Sequence, residues 1–440
     1  MFKNLSLRSL VLVALVVVIN GKHEEYFGWK SYYVKPETDI EFKAFKSLVA
    51  KHEIDVLSHP VIGREGVLLV KPEHQDAFEQ DVQENGFAYR IHADDIKRHL
   101  DHDDKVLEKH RRKSMKRSSG RLLPYDSYQE IEVINDYIDY IGETYPNVAK
   151  VVNAANSFEG RPIKYVKIST THFEDESKPI ILIDGGIHAR ERISLPPVTW
   201  AIHKLVENVT EQDLLDRFDW ILIPVVNPDG YKFTFTNERL WRKTCSNDQH
   251  LLSTICPGVD ANRNFDFFWN TVGASDSPCS DTFAGSKPFS EVESRVVRDI
   301  LHENVHRMAM YLSFHSFGSM ILYPWGHNGH LPPNAVQLHA VASAIAEEIN
   351  KHSLSHFPRY TVGNAALVIG YEVSGSAEDY AYNLGVPLAF TLELPYPTVT
   401  SSVEGFFLDP KYIGQVCRET WEGIIVGARS AGDLFQNKNN

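Results

Sequence analysis

Ile180-Ile181-Leu182-Ile183-Asp184-Gly185-Gly186-Ile187-His188-Ala189-Arg190-Glu191 is an apolar run that ends in a glycine pair and then presents an imidazole and a carboxylate three residues apart. The run reads as a buried strand stopped by a tight turn. Positions i and i+3 share a face in a helical turn, so the spacing predicts that His188 and Glu191 reach one metal ion. Alone, His-x-x-Glu is a weak signal, because most such matches in proteins are chance. Its weight depends on what the rest of the chain offers.

Outward from this stretch, strands are expected at 148–152, 163–168, 220–226, 310–314 and 387–393, and helices near 128–145, 197–207, 290–304, 334–351 and 412–434. The first of these helices has Asp126 or Ser127 as a cap, Ile131, Ile134, Ile138 and Ile141 on one face, and Pro146 as its stop. Strands separated by helices of this length predict an α/β fold, a mixed, mostly parallel twisted sheet with helices on both faces. Ligands of such sheets bind beyond the carboxyl ends of the strands. His188, His315 and Glu393 all stand at or just after expected strand ends.

The N-terminal region is built differently. Lys3 and Arg8 precede the apolar run Leu10 to Ile19, and Gly21 follows, which is the layout of a signal peptide over 1–21. The run is too short for a membrane span, which needs about 20 apolar residues, so an exported protein without a membrane partner is expected. Residues 22–100 then read as a small α/β unit, with strands at 31–34, 66–70 and 87–91 and helices at 39–52 and 74–85. Residues 101–121 form a connecting segment carrying Lys109-His110-Arg111-Arg112-Lys113 and Lys116-Arg117-Ser118-Ser119-Gly120-Arg121. A solvated helix face running into a linker accounts for that composition. A trypsin-like protease would also find it cleavable, since exposed polar segments are where nicking concentrates. The remaining residues, 122–440, form the large unit.

The formal net charge of -13 over 440 residues argues against a nucleic-acid partner. Four cysteines, Cys245, Cys256, Cys279 and Cys417, suit an oxidising compartment and allow three pairings. None has CxxC spacing, which argues against a cysteine-ligated zinc. Asn208-Val209-Thr210 is a glycosylation sequon.

A catalytic zinc takes three protein ligands, and His315 at the end of Tyr311-Leu312-Ser313-Phe314-His315 offers the third. Two imidazoles and one carboxylate suit zinc in a hydrolase. Such chemistry needs a base and a positive charge; Glu393, ending the apolar Phe390-Thr391-Leu392, and Arg242 in Leu240-Trp241-Arg242-Lys243 are the candidates. Singly, each would be read as a strand-edge histidine, a cap or a solvated charge.

Taken in order, His188-Ala189-Arg190-Glu191, Asn227-Pro228-Asp229-Gly230-Tyr231, Leu240-Trp241-Arg242-Lys243, Asp260-Ala261-Asn262-Arg263-Asn264, His315-Ser316, Tyr371 and Glu393 resemble the secreted zinc carboxypeptidases of the pancreatic A/B type. The resemblance covers almost the whole chain and implies one Zn2+ held by His188, Glu191 and His315. It makes Glu393 the general base and acid, and Arg242 the group that polarises the scissile carbonyl. It places Asn262 and Arg263 on the substrate's terminal carboxylate, Tyr371 closing over it, and Arg190 along the path by which substrate enters. A planar guanidinium matches a carboxylate bidentately, so a buried arginine selects peptides with a free C-terminus. Residues 22–100 then become an antiparallel activation prodomain, with cleavage near Arg121 and Lys116 and Arg117 as competing sites.

By the same resemblance Cys256 and Cys279 form a disulfide; Cys245 and Cys417 either pair or stay free. Gly326, Ala366, Ser376, Glu378 and Thr391 line the specificity pocket. Glu378 stands where A-type enzymes are apolar and B-type enzymes acidic, which implies preference for C-terminal Lys or Arg. Arg192 and Phe317 depart from the family's aromatic Trp and Tyr. The implied partners are peptide substrates, an activating trypsin-like protease and a proteinaceous carboxypeptidase inhibitor. The implied setting is extracellular, with a digestive lumen as the commonest case. Two other readings keep the same scaffold: apolar A-type specificity, and a non-catalytic relative that holds peptide carboxylates without needing Glu393.

Overall fold

Ile180, Ile181, Leu182 and Ile183 have no exposed surface. Ile181 and Ile183 enter one hydrophobic core while Ile180 and Leu182 enter a second on the other face. A strand covered on both sides has no solvent face to carry polar residues, hence the unbroken apolar run. The computed structural model describes residues 22–52, 54–117, 123–247, 250–396 and 405–439. The expected signal at 1–21 and the expected cleavage position at Arg121 lie outside the described residues.

The N-terminal unit has four strands, β1 (Lys30–Lys35), β2 (Asp55–Ser58), β3 (Gly66–Val70) and β4 (Ala88–Ala93), in the order β2-β3-β1-β4 with every pairing antiparallel. Helices α1 (Asp39–Lys51) and α2 (Gln75–Glu84) close it, with Phe45, Leu48, Phe78 and Val82 packed against Tyr32 and Val34. Three strands were expected here. β2 has one buried position among four, too little apolar pattern to be legible. α3 (Ile96–Arg117) then leads out, so the basic run at 109–113 is helical and the helix includes Lys116 and Arg117.

In the C-terminal unit the strands are β5 (Ala149–Asn156), β6 (Pro162–Ile168), β7 (Ile180–Gly185), β8 (Asp219–Ile223), β9 (Met308–Ser316), β10 (Met320–Tyr323), β11 (Thr361–Asn364) and β12 (Leu388–Leu394). Their order is β11-β10-β12-β9-β7-β8-β6-β5. The central strands β12, β9, β7 and β8 run parallel, as do β10 and β11, and the other joins are antiparallel. This is the mixed, mostly parallel sheet expected. β10 and β11 were not foreseen, each being only four residues long.

The helices follow as α4 (Ile131–Thr144), α5 (Pro196–Val206), α6 (Gln212–Arg217), α7 (Pro228–Thr236), α8 (Val292–Asn304), α9 (Ala335–His352), α10 (Ala365–Ile369), α11 (Ala377–Leu384) and α12 (Ile413–Asn439). α4, α5, α6, α9 and α12 cover the Ile181/Ile183 face, and α8 and α11 the Ile180/Leu182 face. α4 starts three residues later than expected. Glu130 is extended at its N-cap, and Tyr128 instead donates its hydroxyl to Leu408 O (3.0 Å).

A further apolar cluster joins the two units: Tyr26, Leu57, Val67, Leu69, Ile96 and Leu100 pack with Leu240, Phe406 and Phe407. Cys256 and Cys279 are disulfide-bonded; Cys245 and Cys417 are free, which closes the alternative left open above. Asn208 of the sequon is exposed. No helix among the described residues is long and apolar enough to cross a membrane.

Truncating a side chain at the centre of β7 leaves a void that a sheet covered on both faces cannot close. Ile183→Ala is expected to destabilise the protein by about 2–5 kcal/mol, measured as a lowered urea midpoint with an unchanged slope.

Candidate active site

The parallel strands bring their carboxyl ends to one edge, where register aligns Glu393 of β12 with His315 of β9, and Gly185 of β7 with Phe314. Beyond β7 the chain must fold back sharply. A Cβ on Gly185 would lie 2.4 Å from Ser194 O, and Gly186 has φ +69°, so the glycine pair admits a reversal that other residues would block. Ser194 fixes the returning turn, its hydroxyl accepting from Gly186 N (3.0 Å) and donating to Glu191 O (2.7 Å). His188 and Glu191 do not lie in a helical turn, as the spacing suggested. Glu191 has φ -85° and ψ 57°, and a short 3-10 turn begins only at Arg192. The irregular turn still brings His188 Nδ1 to 2.8 Å from Glu191 Oε1.

His188, Glu191 and His315 are all buried, and each offers a ligand atom within 4.8 Å of the others. His315 Nδ1 is 3.1 Å from both His188 Nδ1 and Glu191 Oε2. The far ring nitrogens are separately engaged: His188 Nε2 faces Asp260 Oδ1 (3.1 Å), and His315 Nε2 faces Ser313 Oγ (3.1 Å), which donates to Asp184 (2.8 Å). Outer partners of this kind fix ring orientation and direct the other nitrogen at a metal. Two imidazole nitrogens and a carboxylate converging on one point, each ring held from behind, fit zinc.

Electrostatics agree with a site built for a cation. Burial raises the Glu191 carboxyl, but His188 and His315 outweigh it and hold the group well below the usual range. Burial and Arg242 keep His188 down. His315 is lowered by burial, yet Glu191, Glu393 and Asp184 lift it to about 9. Glu393 is pushed up to about 8 by burial and by Glu191, against the pull of His315 and Arg242.

Asp260, for which the sequence suggested no individual role, ties these groups together. It is fully buried, receives Arg242 through Nε (2.9 Å) and Nη2 (2.8 Å), and caps the turn Ala261–Arg263 by accepting from Asn262 N (3.0 Å). Burial alone would raise it; Arg242, His188 and Arg263 hold it well below the carboxylate range. Its signal in the sequence was an acid placed as a cap two residues before the Asn-Arg pair. Asn262 Oδ1 accepts from Ala377 N (2.8 Å), and Arg263 donates to Gly273 O (2.9 Å) and Asn262 O (3.0 Å).

Glu378, in the first turn of α11, is buried with Oε2 unpartnered among the described residues; Thr391 Oγ1 is also buried and unpartnered. Burial and neighbouring Asp379 raise Glu378 to about 7, while a backbone hydrogen bond, His315 and the Ser376 hydroxyl lower it. Asp379 is itself held by the backbone N–H groups of Gly326 (2.9 Å) and His327 (3.1 Å).

Two predicted site residues are engaged elsewhere. The Tyr371 ring lies 3.9 Å from the His59 ring of the N-terminal unit. Arg190 pairs with Asp281 (2.9 Å), donates to Leu240 O (3.3 Å), stacks over Phe406, and lies 4.0 Å from Asp55. Arg192, where an aromatic residue was the family expectation, keeps an aromatic contact by lying over Phe235 and donates to Thr234 O (2.7 Å).

Residues 134–423 match the family described as zinc carboxypeptidase, and residues 32–103 match the carboxypeptidase activation peptide. The chain belongs to the zinc carboxypeptidase family. It is 64% identical over 430 residues to carboxypeptidase B of Helicoverpa zea, covering 98% of this chain and 100% of that one. Among solved structures, carboxypeptidase A from Helicoverpa armigera aligns with a TM-score of 0.89 at 42% identity, over 93% of this chain and 99% of the other. Bovine thrombin-activatable fibrinolysis inhibitor, in complex with tick carboxypeptidase inhibitor, aligns with a TM-score of 0.63 at 32% identity, over 70% and 98%. This zinc carboxypeptidase is therefore a peptide hydrolase carrying its own activation peptide, a zymogen, and it uses zinc.

Because Asp260 orients His188 from behind and anchors Arg242, Asp260→Asn is expected to weaken zinc binding by about 10–100-fold in a protein that stays folded. Competition with a chromogenic chelator, beside circular dichroism, measures this.

Proposed function

We propose that this zymogen yields a secreted exopeptidase that removes a C-terminal Lys or Arg from peptides. The observation that carries the basic preference is Glu378, a buried carboxylate whose Oε2 has no hydrogen-bond partner among the described residues, beside the likewise unpartnered Thr391 hydroxyl. A buried carboxylate without a partner is costly. A cationic side chain supplies what is missing, and an apolar one leaves the cost in place. We assign 1–21 to a signal peptide, 22–100 to the prodomain, 101–121 to the connecting segment and 122–440 to the catalytic domain. Cleavage after Arg121 is proposed, with Lys116 and Arg117, which lie in α3, as competing sites.

His188, Glu191 and His315 would hold the zinc, which supplies Lewis acidity toward the scissile carbonyl and toward a water molecule. The other roles belong to the chain. Arg263 and Asn262 take the terminal carboxylate, Tyr371 closes over it once freed from His59, and Arg190 lies on the path of the incoming peptide. Arg242, held by Asp260, donates to the oxyanion as charge develops. Glu393 accepts the proton of the attacking water and returns it to the leaving amine; its elevated pKa suits both transfers. A proteinaceous inhibitor is a proposed partner, by analogy with the relative bound to a tick inhibitor. An extracellular setting such as a digestive lumen accords with the apolar N-terminal run.

Matched blocked dipeptides ending in Arg and in Phe, assayed before and after trypsin with a zinc chelator as control, test this reading. Chelator-sensitive activity is expected after trypsin, favouring Arg. Preference for Phe would overturn the Glu378 assignment and favour the A-type reading, while absence of hydrolysis by the zinc-loaded protein would favour a carboxylate-binding relative. Glu378→Gln is expected to lower kcat/KM on the Arg substrate by about 100-fold with little change on Phe.

A further inference from the structure

The contact between the activation peptide and the enzyme encloses more negative than positive charge. Asp55 and Tyr26 from the N-terminal unit are buried against Glu238 and Asp281 of the catalytic unit, with Glu25 nearby. The Tyr26 hydroxyl donates to Glu238 Oε1 at 2.7 Å. Of the cations in reach, Arg190 is paired with Asp281 at 2.9 Å and is only within 4.0 Å of Asp55. Arg242 is committed to Asp260. Lys243 is buried and donates to Pro278 O at 2.6 Å. Glu238 therefore has a hydroxyl but no cation of its own, and Asp55 has a distant share of one. Beside this patch Tyr26 and Leu57 pack on Leu240, Phe406 and Phe407, while the side chains of Asp55 and Asp281 keep 26% and 44% of their surface exposed, so water screens their repulsion only in part.

We propose that the interface is a pH-dependent latch: at mildly acid pH the activation peptide stays docked after the connector is cut, and at alkaline pH repulsion among Glu238, Asp55 and Asp281 releases it. The proposal rests on the zymogen reading but not on the specificity or on the catalytic roles. In the docked state Glu238 stands at about 7 against 4.5, by burial and by Asp281 of its own unit with Glu25 and Asp55 adding across the contact, and Asp55 at about 6 against 3.8 by burial and by Asp281 across the contact. The docked state thus binds more protons than the separated one, so affinity is greatest at low pH and falls as pH rises through these values. Between pH 5.5 and 8.5 the shifts set an upper bound of about thirtyfold loss from Glu238 and about fourfold from Asp55. The histidines facing the contact are His59, its ring 3.9 Å from that of Tyr371, and His110, bonded to Asp126 O and 3.9 Å from Asp409. Asp103, paired with Arg239 at 3.3 Å, adds a cross-interface ion pair.

The test uses the full chain, cut in the connector by trypsin, quenched, and run by gel filtration at pH 5.5 and 8.5, with released peptide quantified by mass. Co-elution at pH 5.5 and separation at pH 8.5 are expected, with an apparent affinity change of at least tenfold. Glu238→Gln, which keeps an acceptor for Tyr26 without the charge, is expected to retain the peptide at pH 8.5, and Asp55→Asn to retain it in part. Equal retention of the wild type at both pH values would overturn the proposal. So would a pH dependence left intact in the Glu238→Gln/Asp55→Asn double variant, which would assign it to the histidines. Activity on the Arg substrate after complete peptide removal, equal in wild type and Glu238→Gln, shows that the variant is folded.

Discussion

One buried carboxylate organises the chemistry of this molecule. Asp260 has no exposed surface, and it is shared among His188, Arg242, Arg263 and the backbone of Asn262. A carboxylate in that position is stable only because cations surround it, and those cations keep their positions only because it is ionised. His188, Arg242 and the Asn262–Arg263 turn are thereby locked to a common centre. The sheet supplies the other half: parallel register brings β7, β9 and β12 to one edge, so that His188, His315 and Glu393 meet there although 205 residues apart in the chain at the extremes.

The activation peptide contacts Tyr371 and Arg190, the residues proposed to handle substrate. His59 stacks on Tyr371, Asp55 approaches Arg190, and Arg64 donates to Val368 O at 2.9 Å, next to the Gly370 turn that precedes Tyr371. The same contacts that cover the site also hold the groups proposed to grip a peptide. Part of the docking surface is apolar and part is carboxylate-rich. The apolar part favours association at any pH, and the carboxylates oppose it more strongly as they ionise.

Most of the fold was legible because long elements carry strong periodic signals. The apolar run of β7 and the isoleucine stripe of α4 identified themselves, and their positions hold in the structure. β2, β10 and β11 did not, since four residues are too short for a period to show; they exist because a neighbouring strand offers unpaired backbone groups. The turn between His188 and Glu191 was misjudged as helical because the i, i+3 spacing is common to a helix and to the irregular turn that the glycine pair permits.

The sequence by itself determined which residue types were available: two histidines and a glutamate at strand ends, an Asn-Arg pair, and a late glutamate at the end of an apolar strand. Those identities and their order, set by covalent connectivity, are independent of folding. Only the tertiary structure decided their surroundings. It showed that Asp260 stands behind His188 and Arg242, that Glu378 is buried with an oxygen unpartnered among the described residues, that Cys245 and Cys417 stay apart, and that Glu238 and Asp55 face one another across the contact between the two units. Burial and charge proximity join residues far apart in the chain, and these determine which carboxylates are ionised, which are not, and what each can do.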